Sequence, residues 1–171
     1  MLNEFALEQI CSHAHEPLQL NFAQDALQIL PQREDGSAEA TPQGLVLRGE
    51  TEGALERPID MLKEHYGDQI RISSPRILYR HSPQLEEPHM GIRVLCASAH
   101  FAAVKSDLLS RGAVILDAEA TAQFGVVRAT APLANLLGYG AAVAELTAGS
   151  AREVMWLSHY ATVDSPAPDA A

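Results

Sequence analysis

The sequence predicts the α+β class, arranged as two small sandwiches in which an antiparallel sheet is covered on one face by helices. Segments of alternating apolar residues change places with segments of helical spacing along the 171-residue chain. After residue 90 their order is strand, helix, strand, strand, helix, strand. Before residue 81 a shorter strand, helix, strand run ends in the same way, so the first sandwich reads as an atypical or incomplete copy lacking its opening strand.

Residues 2–14 place Leu2, Phe5, Ala6, Ile10 and Ala14 near helical spacing ahead of Pro17, which predicts a helix. Two short apolar segments follow, 18–22 and 26–30. The stretch PQREDGSAEATPQG, rich in Pro, Gly and charge and without a period, predicts a flexible loop over 31–44. LVLRG (45–49) is a strand, and Leu55, Ile59, Leu62 and Tyr66, stepping by four, three and four, mark one face of a helix that Gly67 stops. Pro58 is expected near that helix's first turn, where its missing N–H costs nothing. QIRISSPRILYR then reads as a strand bent at Ser74–Pro75 and closes a first lobe over 1–80. HSPQLEEPH, 81–89, with its two prolines and charge pair, predicts a linker.

The second lobe is expected over 90–164. GIRVLCAS alternates as a strand; Phe101, Val104, Leu108 and Leu109 make a helical face closed by Gly112. AVILDAEATAQFGVVRATAP reads as two strands around a polar turn, and PLANLLGYGAAVAELTAG (132–149) as one amphipathic helix with Pro132 at its first position and Gly149 past its end. REVMWLSHYATVD is the last strand. The whole spells βαββαβ, the ferredoxin-like order. The tail SPAPDAA, 165–171, predicts disorder.

Composition narrows function. Twelve basic against twenty-two acidic residues give a formal charge of −10, spread over both halves. Without clustered Lys and Arg, autonomous DNA binding and tight RNA binding are disfavoured, leaving room for a small local patch. No apolar run is long enough to span a bilayer, and MLNEFALEQI is not an export signal, so the cytoplasm is the expected compartment. Cys11 and Cys96 give no disulfide framework and read as reduced core thiols.

Chemistry-bearing groups are sparse. His13 with His15, and Cys96 with His100, are the nearest approaches to metal-ligand spacing, but zinc needs three or four converging ligands, so no metal site is expected. Ser158–His159 lacks an orienting third group, and Asp117 with Glu119, on one side of a strand, suits a solvent-facing edge as well as a catalytic pair. Asp35 and Glu39 read as solvation. Met155 and Trp156 point to opposite sides of the last strand, the inward one as core. No catalytic residue or cofactor is expected. Gly138 and Gly140, inside the predicted helix, point to close packing rather than a phosphate cradle, which would stand between a strand and a helix N-terminus.

The residues from EEPHMGIRVLCAS to SHYATVD resemble the C-terminal, fifth domain of elongation factor G. The pattern runs through Glu87-Pro88, Arg111-Gly112, Pro132-Leu133-Ala134, Gly138-Tyr139, Leu146-Thr147, Gly149 and Ser158-His159-Tyr160. LERPIDMLKEHYGDQIRISSPRILYR is similar to the end of that factor's third domain, and the likeness fades before residue 45. The chain has no G-x-x-x-x-G-K-(S/T) phosphate loop, and nothing stands for the second and fourth domains. The resemblance therefore implies a protein without GTP hydrolysis whose partner is the ribosome or translation machinery, near where translational GTPases dock, as a regulator or competitor. Lys105, Arg111 and Arg128 are the contact residues it implies, although the family's basic run shrinks to Arg111; Tyr139 and His159 read as structural. The rival reading is an interaction module, a homodimer through sheet faces or edges or a binder of a basic protein.

Overall fold

A computed structural model describes residues 5–81 and 83–163 of the chain, divided into two compact units, 1–78 and 79–171. The predicted tail 165–171 lies outside the described residues.

In the first unit β1 (Leu7–His13), α1 (Gln19–Ile29), β2 (Gly36–Thr41), β3 (Gly44–Gly49), α2 (Glu52–Tyr66) and β4 (Ile70–Ile72) complete a βαββαβ chain, followed by β5 (Arg76–Ile77). The antiparallel sheet has the order β2-β3-β1-β4, with β5 also on β1. Within the helix predicted at 2–14, Leu7–His13 is a strand and supplies the opening element expected to be missing. Leu7 and Cys11 are buried on one face of β1 and Ile10 stands on the other, so the apolar spacing imitates a helix.

The loop predicted at 31–44 is likewise corrected: Gly36–Thr41 forms an edge strand in register with β3 from Gly36–Gly49 to Thr41–Gly44. Its small and polar residues have weak strand propensity, and β3 provides the pairing that sequence composition concealed. Gly44 closes the turn at φ 130°, a left-handed conformation natural to glycine.

Helix α2 starts after Thr51, whose Oγ1 accepts the Ala54 N–H at 3.2 Å, and ends at Gly67 with φ 57°. Pro58 sits in its middle rather than its first turn. A proline leaves the carbonyl four residues back without its helical donor. Here that carbonyl, of Ala54, accepts Arg33 Nη1 at 2.7 Å.

In the second unit β6 (Arg80–His81) pairs with the start of β7 (Leu85–Ala97), followed by α3 (Ser98–Ser110), β8 (Val114–Ala120), β9 (Phe124–Pro132), α4 (Leu133–Leu136), α5 (Tyr139–Leu146) and β10 (Arg152–Thr162). The sheet order β10-β7-β9-β8 repeats that of the first unit. The linker predicted at 81–89 is corrected from residue 85 onward, because Glu86, Glu87 and Pro88 pair with Thr162, Ala161 and Tyr160 of β10. Proline and charge suggested a tether, whereas a long neighbouring strand gives the segment its partners.

The single helix predicted over 132–149 is two. Gly138 at φ 74° separates α4 from α5, and a Cβ there meets nothing within 4 Å, so its freedom serves the turn and not packing. Pro132 precedes α4 as its cap. Met90, Ile92, Val94, Val127, Ala129 and Leu108 form the centre of this lobe's core. Among the described residues no helix is long and apolar enough to cross a membrane.

Candidate functional site

Lys105 lies within α3 of the second lobe and Arg111 at the C-cap of the same helix. Lys105 is half-buried on α3 and has no ion-pair partner among the described residues. Arg111 caps the same helix: its Nε donates to Asp107 Oδ2 at 2.9 Å, Nη1 donates to the Asn135 carbonyl at 3.5 Å, and Cζ lies 5.1 Å from the Tyr139 ring centroid. The guanidinium thus ties α3 to the turn before α5 while keeping a partly exposed positive edge.

Tyr139 beneath it is fully buried, and its hydroxyl has no hydrogen-bond partner among the described residues. Burial first, then the carboxylates of Asp107 and Glu153, raise its phenol above the ordinary range, so the ring stays neutral.

Arg128 lies elsewhere. Val127 and Ala129 of β9 are buried toward α3, so Arg128 between them stands on the sheet face away from the helices, 3.5 Å from Asp117 Oδ2. The structure therefore sets Lys105 and Arg111 about 120° apart around α3, one in mid-helix and one at its C-cap, and leaves Arg128 on the opposite side of the sheet. In register beside Arg128 is Arg93 of β7, and Arg152 of β10 lies one outward row along. Neither was singled out from sequence. They are spaced by tens of residues, and only strand register makes them neighbours; alternation within GIRVLCAS and REVMWLS is the signal that marks each as outward.

The remaining candidates are engaged structurally. His13 Nδ1 accepts the backbone N–H groups of His15 and Glu16 at 3.2 and 3.1 Å, and Nε2 meets Gln69 Oε1 at 2.9 Å, so neither ring nitrogen points at an open site. Ser158 Oγ and His159 Nδ1 are 3.1 Å apart at the irregularity in β10, and the His159 ring stacks on His89 with centroids 5.1 Å apart. Asp117 pairs with Arg128, and Asp35 with Arg33 at 3.4 Å. Among the described residues no group of three or more His, Cys, Asp or Glu converges as a metal site would require.

Residues 84–171 match the family model described as the elongation factor G C-terminus. Ribosome-releasing factor 2, mitochondrial, of Danio rerio is 25% identical over 174 residues, covering 95% of this chain and 23% of its own length. Elongation factor G 2 of Hahella chejuensis is 34% identical over 89 residues, 52% of this chain and 13% of that protein. Elongation factor G of Mycoplasma pneumoniae is 34% identical over 80 residues, 47% of this chain and 12% of that protein. The chain thus spans less than a quarter of the length of these curated relatives. A protein from Thermus thermophilus, known from its crystal structure, shares the fold with TM-score 0.64 at 17% identity, covering 95% of this chain and 41% of that one.

Proposed function

This chain belongs to the elongation factor G C-terminus family, and from that premise we propose that it is a non-catalytic, cytoplasmic protein that associates with the ribosome and regulates or competes with docking of translational GTPases. The observation that carries this reading is the match to ribosome-releasing factor 2 over 95% of the chain, which takes in both lobes at once. The family model adds the second lobe by itself. No phosphate-loop motif occurs in these 171 residues, which supports a reading without GTP hydrolysis by this stretch of chain.

Lys105, Arg111 and Arg128 are the proposed contacts, and the fold assigns them to two faces. Lys105 acts from the middle of α3 and Arg111 from its C-cap, where Asp107 holds it in place. Arg128 acts from the open sheet.

Co-sedimentation with purified ribosomes at low and moderate salt tests the proposal. The protein pellets with ribosomes at low salt, pellets less as salt rises, and is displaced by added elongation factor G. Absence from the pellet at both salts overturns ribosome association; binding that added factor leaves unchanged overturns competition. Lys105→Glu weakens binding at α3, and Arg128→Glu weakens it if the open face also contributes.

A second reading, a protein-association module, is favoured by the open face itself. Trp156 and Val154, 42% and 59% exposed, stand there beside Arg93 and Arg128.

A further inference from the structure

The open face of the second sheet is assembled from rows that strand register fixes. One row reads Arg152, Leu95, Val126, Glu119 across β10, β7, β9 and β8; the next reads Val154, Arg93, Arg128, Asp117; a third reads Trp156, Gly91, Thr130, Val114. Trp156 lies across Gly91, where a Cβ would come within 2.4 Å of the indole, so the ring covers the neighbouring strand and remains partly exposed. Val114 and Val154, on the two edge strands, are 61% and 59% exposed. Arginine and aromatic residues without lysine, set among exposed apolar side chains, are the composition of protein interfaces. A base-stacking platform for RNA would place its aromatics on the central strands, whereas β7 and β9 present Gly91, Arg93, Arg128 and Thr130 there.

Charge identifies the occupant. β10 is the basic edge through Arg152, and β8 the acidic edge through Glu119 and Asp117. Arg152 and Glu119 are exposed and have no ion-pair partner among the described residues. Three strand spacings, about 14 Å, separate them, far beyond ion-pair reach within one chain. A two-fold axis parallel to the strands lays β10 of one copy over β8 of the other, so each Arg152 meets the other copy's Glu119, and Trp156 meets the other copy's Val114. Aligned packing of this kind is an established arrangement for two sheets face to face.

We propose that this face binds a second copy of the chain, forming a symmetric dimer held by Trp156 against the other copy's Val114 and registered by reciprocal Arg152–Glu119 pairs. This deepens the association-module reading and is independent of ribosome binding. Arg93 of one copy faces Arg128 of the other, a like-charge meeting partly neutralised by Asp117, 3.5 Å from Arg128. The three rows measure about 19 Å across and about 20 Å along, so a dimer buries on the order of 800 Å² in total, below the standard size of specific interfaces. The dimer is therefore weak, with Kd in the micromolar range.

Sedimentation equilibrium of the full chain, without ribosomes, tests this. The protein passes from monomer to dimer across micromolar concentrations, and Arg152→Glu or Val114→Glu raises Kd at least tenfold while circular dichroism stays unchanged. Arg152→Glu combined with Glu119→Arg in one chain restores association toward the original Kd. Since these positions cannot pair within a monomer, rescue is specific to the symmetric contact. Monomer at every concentration, a dimer indifferent to Val114→Glu, or a charge swap without rescue overturns the proposal. Quenching of Trp156 fluorescence by oligouridylate with the chain still monomeric would overturn it in favour of RNA.

Discussion

In the first lobe the sheet face opposite the buried Leu7 and Cys11 carries Glu8, whose carboxylate accepts Arg48 Nε at 2.9 Å and also pairs with Arg76, while Arg48 Nη1 reaches Glu39 at 2.8 Å. The corresponding face of the second lobe carries Trp156, Val154 and Val114 among arginines of which Arg128 alone has an ion-pair partner among the described residues. Both sheets share one strand order, so connectivity does not set this difference. Side-chain length and charge do: four residues on four strands satisfy one another on the first sheet, and the second leaves its polar and apolar groups open to a partner. A shared fold thus yields one face closed by its own chemistry and one suited to association.

Removing the closing carboxylate tests the contrast most strongly. Glu8 is buried, and Glu8→Ala leaves Arg48 and Arg76 without their common partner. The expected loss is about 3 kcal/mol, lessened by the exposure of Arg76, and is read from the urea midpoint. Val154→Thr on the second open face should change stability by no more than about 0.5 kcal/mol. Equal losses would erase the distinction between a closed and an open face.

A second difference concerns the two thiols. Burial pushes Cys11 from 9.0 to about 11, with Lys63 acting in the opposite direction, and burial raises Cys96 as well. Below pH 9 the Cys11 thiol is neutral in folded and unfolded chains, and its contribution is complete. Between pH 9 and 11 the unfolded chain ionises while the folded one resists, so stability falls as pH rises. The loss approaches about 2.7 kcal/mol by pH 11. Cys11→Ala should remove this component from urea midpoints measured between pH 8 and 11; an unchanged slope would exclude Cys11 as its source.

A smaller effect tests how the first lobe accommodates its mid-helix proline. Arg33→Met strands the Ala54 carbonyl and should cost about 1–2 kcal/mol. In Pro58→Ala the restored N–H can bond that carbonyl, so the same Arg33 change should cost less. Equal costs in both backgrounds, measured by chemical denaturation, would show that Arg33 is not replacing the missing donor.

The second lobe was legible because its apolar residues obey the period of each element: Val104 and Leu108 face one way on α3, and Val127, Ala129 and Ala131 alternate on β9. The start of the first lobe was not, since β1 carries Leu7 and Cys11 on one face and Ile10 on the other and so shows no simple alternation, and β2 consists of residues with little strand preference. Pro58 misled for another reason: its compensating donor lies 25 residues earlier in the chain, at Arg33. Lys105 and Arg111 could be proposed from one helix. Their separation from Arg128, and the gathering of Arg93, Arg128 and Arg152, depend on cross-strand register, which no single segment encodes.

The two glycines around Tyr139 give the finest test, because the first lobe has no broken helix at the equivalent place: α2 runs unbroken from Glu52 to Tyr66. Gly138 holds φ 74°, so Gly138→Ala should destabilise by about 1 kcal/mol through backbone strain alone, its Cβ having open space. Gly140 is in the first turn of α5 with no such φ, and a Cβ there approaches only Glu153 Oε1, at 3.1 Å. That carboxylate ends a flexible side chain and can move, so Gly140→Ala should be neutral or stabilise by up to about 0.8 kcal/mol through helix propensity. Thermal melts of the two variants should therefore shift in opposite directions or differ clearly. A matching loss at both positions would mean that the helix must approach its surroundings closely along this whole turn, and packing rather than the break at Gly138 would account for the pair.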